Sequence, residues 1–194
     1  MQKIFQYNKF SPKLEVRDTK KYGKGVFAAE DIKKGRIIYV LGGERVDGMD
    51  LIEKVNSDNE NIDDPFQVGK RTYIDLDETS RTFNHSCDPS TGIRKTSEMF
   101  ALRDIKEGEE LTYNYSLTIA PTEWRMKCRC GSENCQKVLG DISSVPKKRR
   151  EYFKKLGALQ RYMKSVLKEV ESGTYKIPRY ELLALEKLNK TSES

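Results

Sequence analysis

The sequence has no apolar run of the roughly 18–20 residues that a membrane-spanning helix requires, so no transmembrane helix is expected. It opens on Met1-Gln2-Lys3-Ile4-Phe5 without the apolar centre of a secretory signal. A reducing, intracellular compartment is therefore expected, cytoplasmic or nuclear and chromatin-associated alike. Cysteine is scarce, four in 194 residues, and in such a compartment a metal site is a better reading of them than two disulfides. Histidine occurs once, at His85. Excess charge is missing from most of the chain. Residues 1–140 hold 23 basic and 23 acidic side chains, and the net charge of +6 falls from Asp141 onward, where 13 basic residues meet 7 acidic ones. That asymmetry has two readings: a basic element for an anionic partner such as nucleic acid, or a solvated helix face. At this length one main domain with an appendage is expected.

Polar density is concentrated in Arg81-Thr82-Phe83-Asn84-His85-Ser86-Cys87-Asp88-Pro89. An amide, the lone imidazole and a thiol fall within four residues, and Asp-Pro signals a turn directly after them. Buried, each of these groups needs a partner; the plainer reading is a turn whose Asn and Ser bond their own backbone. Downstream lie Glu109-Glu110-Leu111-Thr112-Tyr113-Asn114-Tyr115 and then Cys128-Arg129-Cys130-Gly131-Ser132-Glu133-Asn134-Cys135. In this order and spacing the three stretches resemble the SET domain family of protein-lysine methyltransferases, with its R-F-x-N-H-S-C and E-L-x-Y-D/N-Y signatures and its post-SET C-x-C-x4-C tail. The resemblance runs from about residue 13 to about residue 140.

That resemblance implies a mainly β fold of the β-clip type with a pseudoknot-like core. It implies a SET domain over 13–117, a post-SET zinc-binding segment over 124–140, and, beyond the family pattern, a helical appendage over 144–190. The activity it implies is S-adenosylmethionine-dependent N-methylation of a lysine on a protein substrate such as a histone or other basic protein. Tyr115 takes the position of the catalytic tyrosine, and Tyr113 that of the residue limiting how many methyls are added, here to one or two. Gly23, Lys24 and Gly25 match the loop that holds the cofactor's methionine end; as a bare G-x-G they read as a turn. Arg81, Asn84 and His85 match further cofactor contacts. Cys87, Cys128, Cys130 and Cys135 match a closed four-thiolate zinc site, with Val138 and Leu139 capping the cofactor and the lysine channel. One departure stands out. Leu41, in Val40-Leu41-Gly42-Gly43-Glu44, occupies a place where the family has a tyrosine, and Tyr39 would need a register slip to replace it. A catalytically weak module that binds cofactor or peptide is the alternative this departure raises. A freestanding zinc ribbon is another, but the tail lacks a second ligand pair of its own.

The chemistry suits these residue types. A lysine attacks only as the neutral amine, and reaching that form at pH 7 from an ordinary pKa near 10.4 costs about 4–5 kcal/mol. An apolar channel lowers the cost, and aligned hydroxyls orient the amine without a strong base. On a strand, Tyr113 and Tyr115 would share a face.

Elsewhere, Leu14–Arg17 and Tyr73–Leu76 read as strands, 45–70 as mostly loop with a short helix over Met49–Val55, and 1–12 as a stretch that pairs late or frays. Phe27-Ala28-x-x-Asp31-Ile32-Lys33-x-Gly35 recurs as Phe100-Ala101-x-x-Asp104-Ile105-Lys106-x-Gly108. Each copy reads as strand, tight turn, strand. Apolar residues at Tyr152, Leu156, Leu159, Met163, Val166 and Val170 predict one amphipathic helix from Pro146 to Gly173, packed on the body, and a second begins near Pro178. Lys147-Lys148-Arg149-Arg150, at the start of the first, resembles a nucleic-acid or nuclear-localisation patch, and equally a solvated face.

Overall fold

The computed structural model of the chain describes residues 3–19, 23–51 and 65–178. Small antiparallel sheets account for most of it. β1 (Lys3–Phe5), β2 (Leu14–Thr19) and β3 (Gly23–Ala28) form one sheet in that order. A second has the order β4 (Ile37–Val40), β9 (Glu98–Ala101), β8 (Thr91–Arg94), and a third β5 (Gly43–Asp47), β7 (Thr72–Leu76), β6 (Pro65–Gln67). β10 (Met126–Lys127) and β11 (Val138–Leu139) pair near the cysteines. The N-terminal stretch, expected to pair late or fray, contributes β1, where Phe5 sets its ring edge-on to Tyr39 at 6.2 Å and the strand pairs with β2.

The repeated segment organises the body in a way its local pattern did not predict. The flanking strands of each copy do not pair with each other; the two copies pair across a local two-fold. The Ile32 and Ile105 amides each donate to the other's carbonyl, at 2.8 and 2.9 Å. Gly35 donates to the Ala101 carbonyl and Gly108 to that of Ala28, both at 2.8 Å. Lys33 pairs with Asp104 at 2.9 Å and Lys106 with Asp31 at 2.7 Å. Both glycines are left-handed, with φ of 83° and 85°, the conformation that turns the chain tightly after each Asp-Ile-Lys. Ile32, Ile38, Ile105 and Leu111, two from each copy, are buried in the main core with Leu14, Val26, Phe83 and Met99.

A second core lies under the C-terminal segment. Phe153, Leu159, Met163, Val166 and Leu167 pack against Phe100, Leu102 and Leu117 of the body; of the expected stripe, Tyr152 instead faces solvent at 47% exposure, and Phe153 takes its place in the core. The single helix expected over 146–173 is two: α1 (Lys147–Lys155) and α2 (Arg161–Glu171). Gly157 is the reason. It takes φ 73°, its amide reaches the Lys154 carbonyl and that of Ala158 the Phe153 carbonyl, the paired bonds of a Schellman stop. The apolar spacing runs straight through the break and so conceals it. Gly173 ends α2 in the same manner, with φ 70° and the Thr174 amide on the Glu169 carbonyl. Pro146 sits before the first turn of α1. Helix is present at 48–51, the start of the short helix expected there; its remainder, and the helix expected to follow Pro178, lie outside the described residues.

Candidate active site

The two tyrosine- and asparagine-bearing motifs lie side by side. His85 and Tyr113 form a parallel bridge, in which the Tyr113 amide donates to the Asn84 carbonyl and the Ser86 amide to the Tyr113 carbonyl, each at 3.1 Å. The Asn84 side chain then ties in the glycine loop: its Nδ2 donates to the Lys24 carbonyl at 3.0 Å and to Glu110 Oε1 at 2.8 Å. Gly25 is where this arrangement is tightest. A Cβ there would stand 2.6 Å from Glu110 Oε1, 2.8 Å from Thr19 Cγ2 and 2.9 Å from Asn84 Nδ2. Gly23 has φ 73°, so both glycines are held by backbone geometry or space. Gly23, Lys24, Gly25, Asn84 and His85 thus converge.

Tyr113 and Tyr115 converge with them, though not as neighbours on one strand. Asn114 ends the extended segment and caps a 3-10 turn, Tyr115–Thr118, by accepting from the Ser116 amide. The two rings nevertheless meet at 4.8 Å between centroids, tilted by 48°. The Tyr115 hydroxyl donates to the Phe83 carbonyl at 2.8 Å. Tyr113 is buried, with Phe66 edge-on at 6.3 Å. Glu110 and Phe66 belong to this constellation and were not singled out from sequence. Glu110 was visible within the E-E-L run, whereas Phe66 lies in a stretch with no local signal.

Arg81, Leu41, Val138 and Leu139 lie outside the hydrogen bonds by which Asn84 joins Lys24 and Glu110. The Arg81 guanidinium bonds the Leu76 carbonyl and pairs with Asp75, fastening the end of β7. Leu41 is fully packed in the main core. A bulge between Ile37 and Tyr39 interrupts the β4–β9 pairing, and the Tyr39 ring stands 5.2 Å from Phe83, the residue whose carbonyl receives Tyr115. Val138 is exposed, while Leu139 is buried among the cysteines.

The cysteines gather beside the His85 ring. A ring nitrogen of His85 and the sulfurs of Cys87, Cys128 and Cys130 all lie within 4.8 Å of one another, and Cys135 packs against the same cluster. The donor set suits a soft divalent ion such as zinc. Backbone amides already point at the sulfurs, Gln136 at Cys87 over 3.4 Å and Cys130 at Cys128 over 3.5 Å, as thiolate ligands require. Without metal, burial pushes the Cys87 thiol up to about 11 and that of Cys128 up as well, so ion binding must displace protons. Burial likewise holds His85 down to about 4, a neutral ring at physiological pH.

Residues 23–116 match the family model described as the SET domain. Among curated proteins, the chain is 38% identical over 144 residues to a variant-silencing SET domain-containing protein of Plasmodium falciparum, which spans 65% of this chain and 6% of that protein. It is 31% identical over 148 residues to the histone-lysine N-methyltransferase ASHH3 of Arabidopsis thaliana, 70% of this chain and 40% of that one. It is 34% identical over 142 residues to mouse histone-lysine N-methyltransferase NSD3, 66% and 10% respectively. The matches span less than half the length of each of these relatives. Among solved structures, the methyltransferase domain of human SETMAR superposes with a TM-score of 0.55 at 24% identity, over 68% of this chain and 59% of that one. KRYPTONITE, in complex with mCHG DNA and SAH, superposes at 0.53 and 23% identity, over 69% and 30%. These structures share the fold.

Proposed function

The chain belongs to the SET domain family over residues 23–116, and on that premise we propose that it is an S-adenosylmethionine-dependent protein-lysine N-methyltransferase. The observation that carries the reading is the Asn84 side chain, which joins the Gly23–Gly25 loop to the segment bearing Tyr113 and Tyr115. S-adenosylmethionine, held by Gly23, Lys24, Gly25, Asn84 and His85, supplies an electrophilic methyl group when bound. The protein's part is positioning and desolvation. Tyr113 and Phe66 wall the site against water, which favours the neutral amine of the incoming lysine. The Tyr115 hydroxyl, its proton engaged by the Phe83 carbonyl, aligns that amine as an oriented dipole and not as a strong base. The Tyr113 hydroxyl crowds the amine after one or two additions.

A basic protein such as a histone is the proposed substrate, in keeping with the names of ASHH3 and NSD3. An anionic partner held by the Lys147–Arg150 run has less support. Arg149 is engaged by Asp88, the Cys87 carbonyl and the Tyr152 and Phe153 rings, and Arg150 by the Ile142 and Ser143 carbonyls. Zinc is proposed at Cys87, Cys128, Cys130 and Cys135, where it would close the tail over the body through Cys87.

The test is methyl transfer from labelled S-adenosylmethionine to histones and other lysine-rich proteins, beside Tyr115→Phe. Label on substrate lysines that falls at least about tenfold in Tyr115→Phe, with melting little changed, is expected. Cofactor binding without label on any substrate would return the non-catalytic reading.

A further inference from the structure

The sole imidazole of the chain lies between the cysteine cluster and the tyrosine pair, and its two nitrogens have different partners. Nδ1 lies 3.2 Å from the Tyr115 backbone amide, which can only donate, so Nδ1 accepts. A neutral ring that accepts at Nδ1 carries its proton on Nε2. Nε2 faces Cys87 Sγ at 3.3 Å. We infer that His85 is a positioning residue that donates its Nε2 proton to the Cys87 thiolate of the metal site while holding the backbone of Tyr115, and that it is not itself the fourth ligand.

The alternative arrangement fails on the same geometry. Ligation through Nε2 would move the proton to Nδ1, where it would meet the Tyr115 N–H donor to donor. The fourth ligand is then Cys135, which packs against the cluster beside the three sulfurs and the ring. Cys87 is otherwise anchored by Arg149 on its carbonyl and by the Gln136 amide on its sulfur, so the Nε2 bond gives that sulfur a second donor. A proton shared with a ligand sulfur tempers its charge, and such partners typically set metal affinity over 10–100-fold. The route from metal to Tyr115 passes through one covalent neighbour of Asn84, so occupancy of the tail site and the pose of the catalytic hydroxyl are linked. This rests on the zinc reading of the cysteines.

The deciding experiment uses the untagged full chain, 15N-labelled and loaded with zinc or with 113Cd. With one histidine in the chain, a single imidazole is observed. The expected result is a proton on Nε2, no 113Cd coupling to either ring nitrogen, and cobalt-substituted protein with the charge-transfer intensity of four thiolates. His85→Asn keeps an acceptor for the Tyr115 amide and drops the donor to sulfur. It should bind zinc about 10–100-fold more weakly against a chromogenic chelator and retain the four-thiolate spectrum. A proton on Nδ1, cadmium coupling to Nε2, or an unaltered cobalt spectrum in Cys135→Ser would overturn the inference. Each outcome is read without methyl transfer, so each stands apart from the fate of the catalytic proposal. Failure to bind stoichiometric metal would overturn the inference and the zinc reading together, leaving the methyl-transfer assay to judge the rest.

Discussion

Gly25 shows how little space the site has at the scale of one residue. A methyl group there meets Glu110, Thr19 and Asn84 at once. The Asn84 amide has the most to lose, since its bonds to Lys24 and Glu110 define the loop's place. Gly25→Ala is expected to raise the KM for S-adenosylmethionine at least about tenfold, from displacement of a binding loop, and to cost about 1–3 kcal/mol of stability by overpacking. Steady-state kinetics and urea melts read the two effects separately. Much of this site was legible from sequence, because the motifs carry their own spacing: Asn84, His85, Tyr113 and Tyr115 lie within two short segments. Arg81 illustrates the limit. Its place in the motif is sound, yet its guanidinium turns back to Asp75 and Leu76, partners that only the folding of β7 provides. Phe66 was invisible because it reaches Tyr113 from a strand with no signature of its own.

At the scale of elements, the Gly157 break teaches a similar lesson. A continuous apolar stripe identified most of the buried face, with Phe153 in place of the exposed Tyr152, and missed the interruption, because spacing reports which side is wet and not where the axis bends. A left-handed residue with nothing near its would-be Cβ is retained for backbone conformation alone. Gly157→Ala should therefore cost about 1–2 kcal/mol of unfolding free energy with methyl transfer unchanged, measured by denaturant melts. The paired repeat makes a pH prediction. Hydrogen bonds and charge from Lys106, with the Glu107 amide, hold the Asp31 carboxyl below its ordinary range, and Lys33 with the Lys34 amide does the same for Asp104. Both folded-state values lie below the unfolded value of about 3.9, so the stabilisation is full above that pH and fades as pH falls through the lower folded values. Melting temperature is expected to drop between pH 5 and 2.5, and to drop less in Asp31→Asn/Asp104→Asn. Solvent screens these surface pairs, so the difference should be modest.

For the whole molecule, the cysteine cluster joins parts distant in sequence: Cys87 belongs to the body and Cys128, Cys130 and Cys135 to the tail. Removing metal with a membrane-inert chelator under reducing conditions should release residues 124–140 to proteolysis and hydrogen exchange and abolish methyl transfer. The sheets of residues 14–117, which have their own core, should stay protected. Mass spectrometry of the cleavage sites checks this directly. Retained protection of the tail after complete metal loss would mean that Leu139, Trp124 and Met126 hold it unaided.

The reciprocal pairing of the two repeat copies has a consequence for how the chain reaches this state. Every bond across that axis joins residues far apart in sequence, as in Ile32 with Ile105 or Lys33 with Asp104, so no copy can be completed by its own neighbourhood. The entropy of closing a loop of about 70 residues must be met before the first of those bonds forms, after which the rest follow at little further loss. Folding should then be slow for a domain of this size, with a late transition state that already contains both copies, and a chain cut between them should yield no stable half.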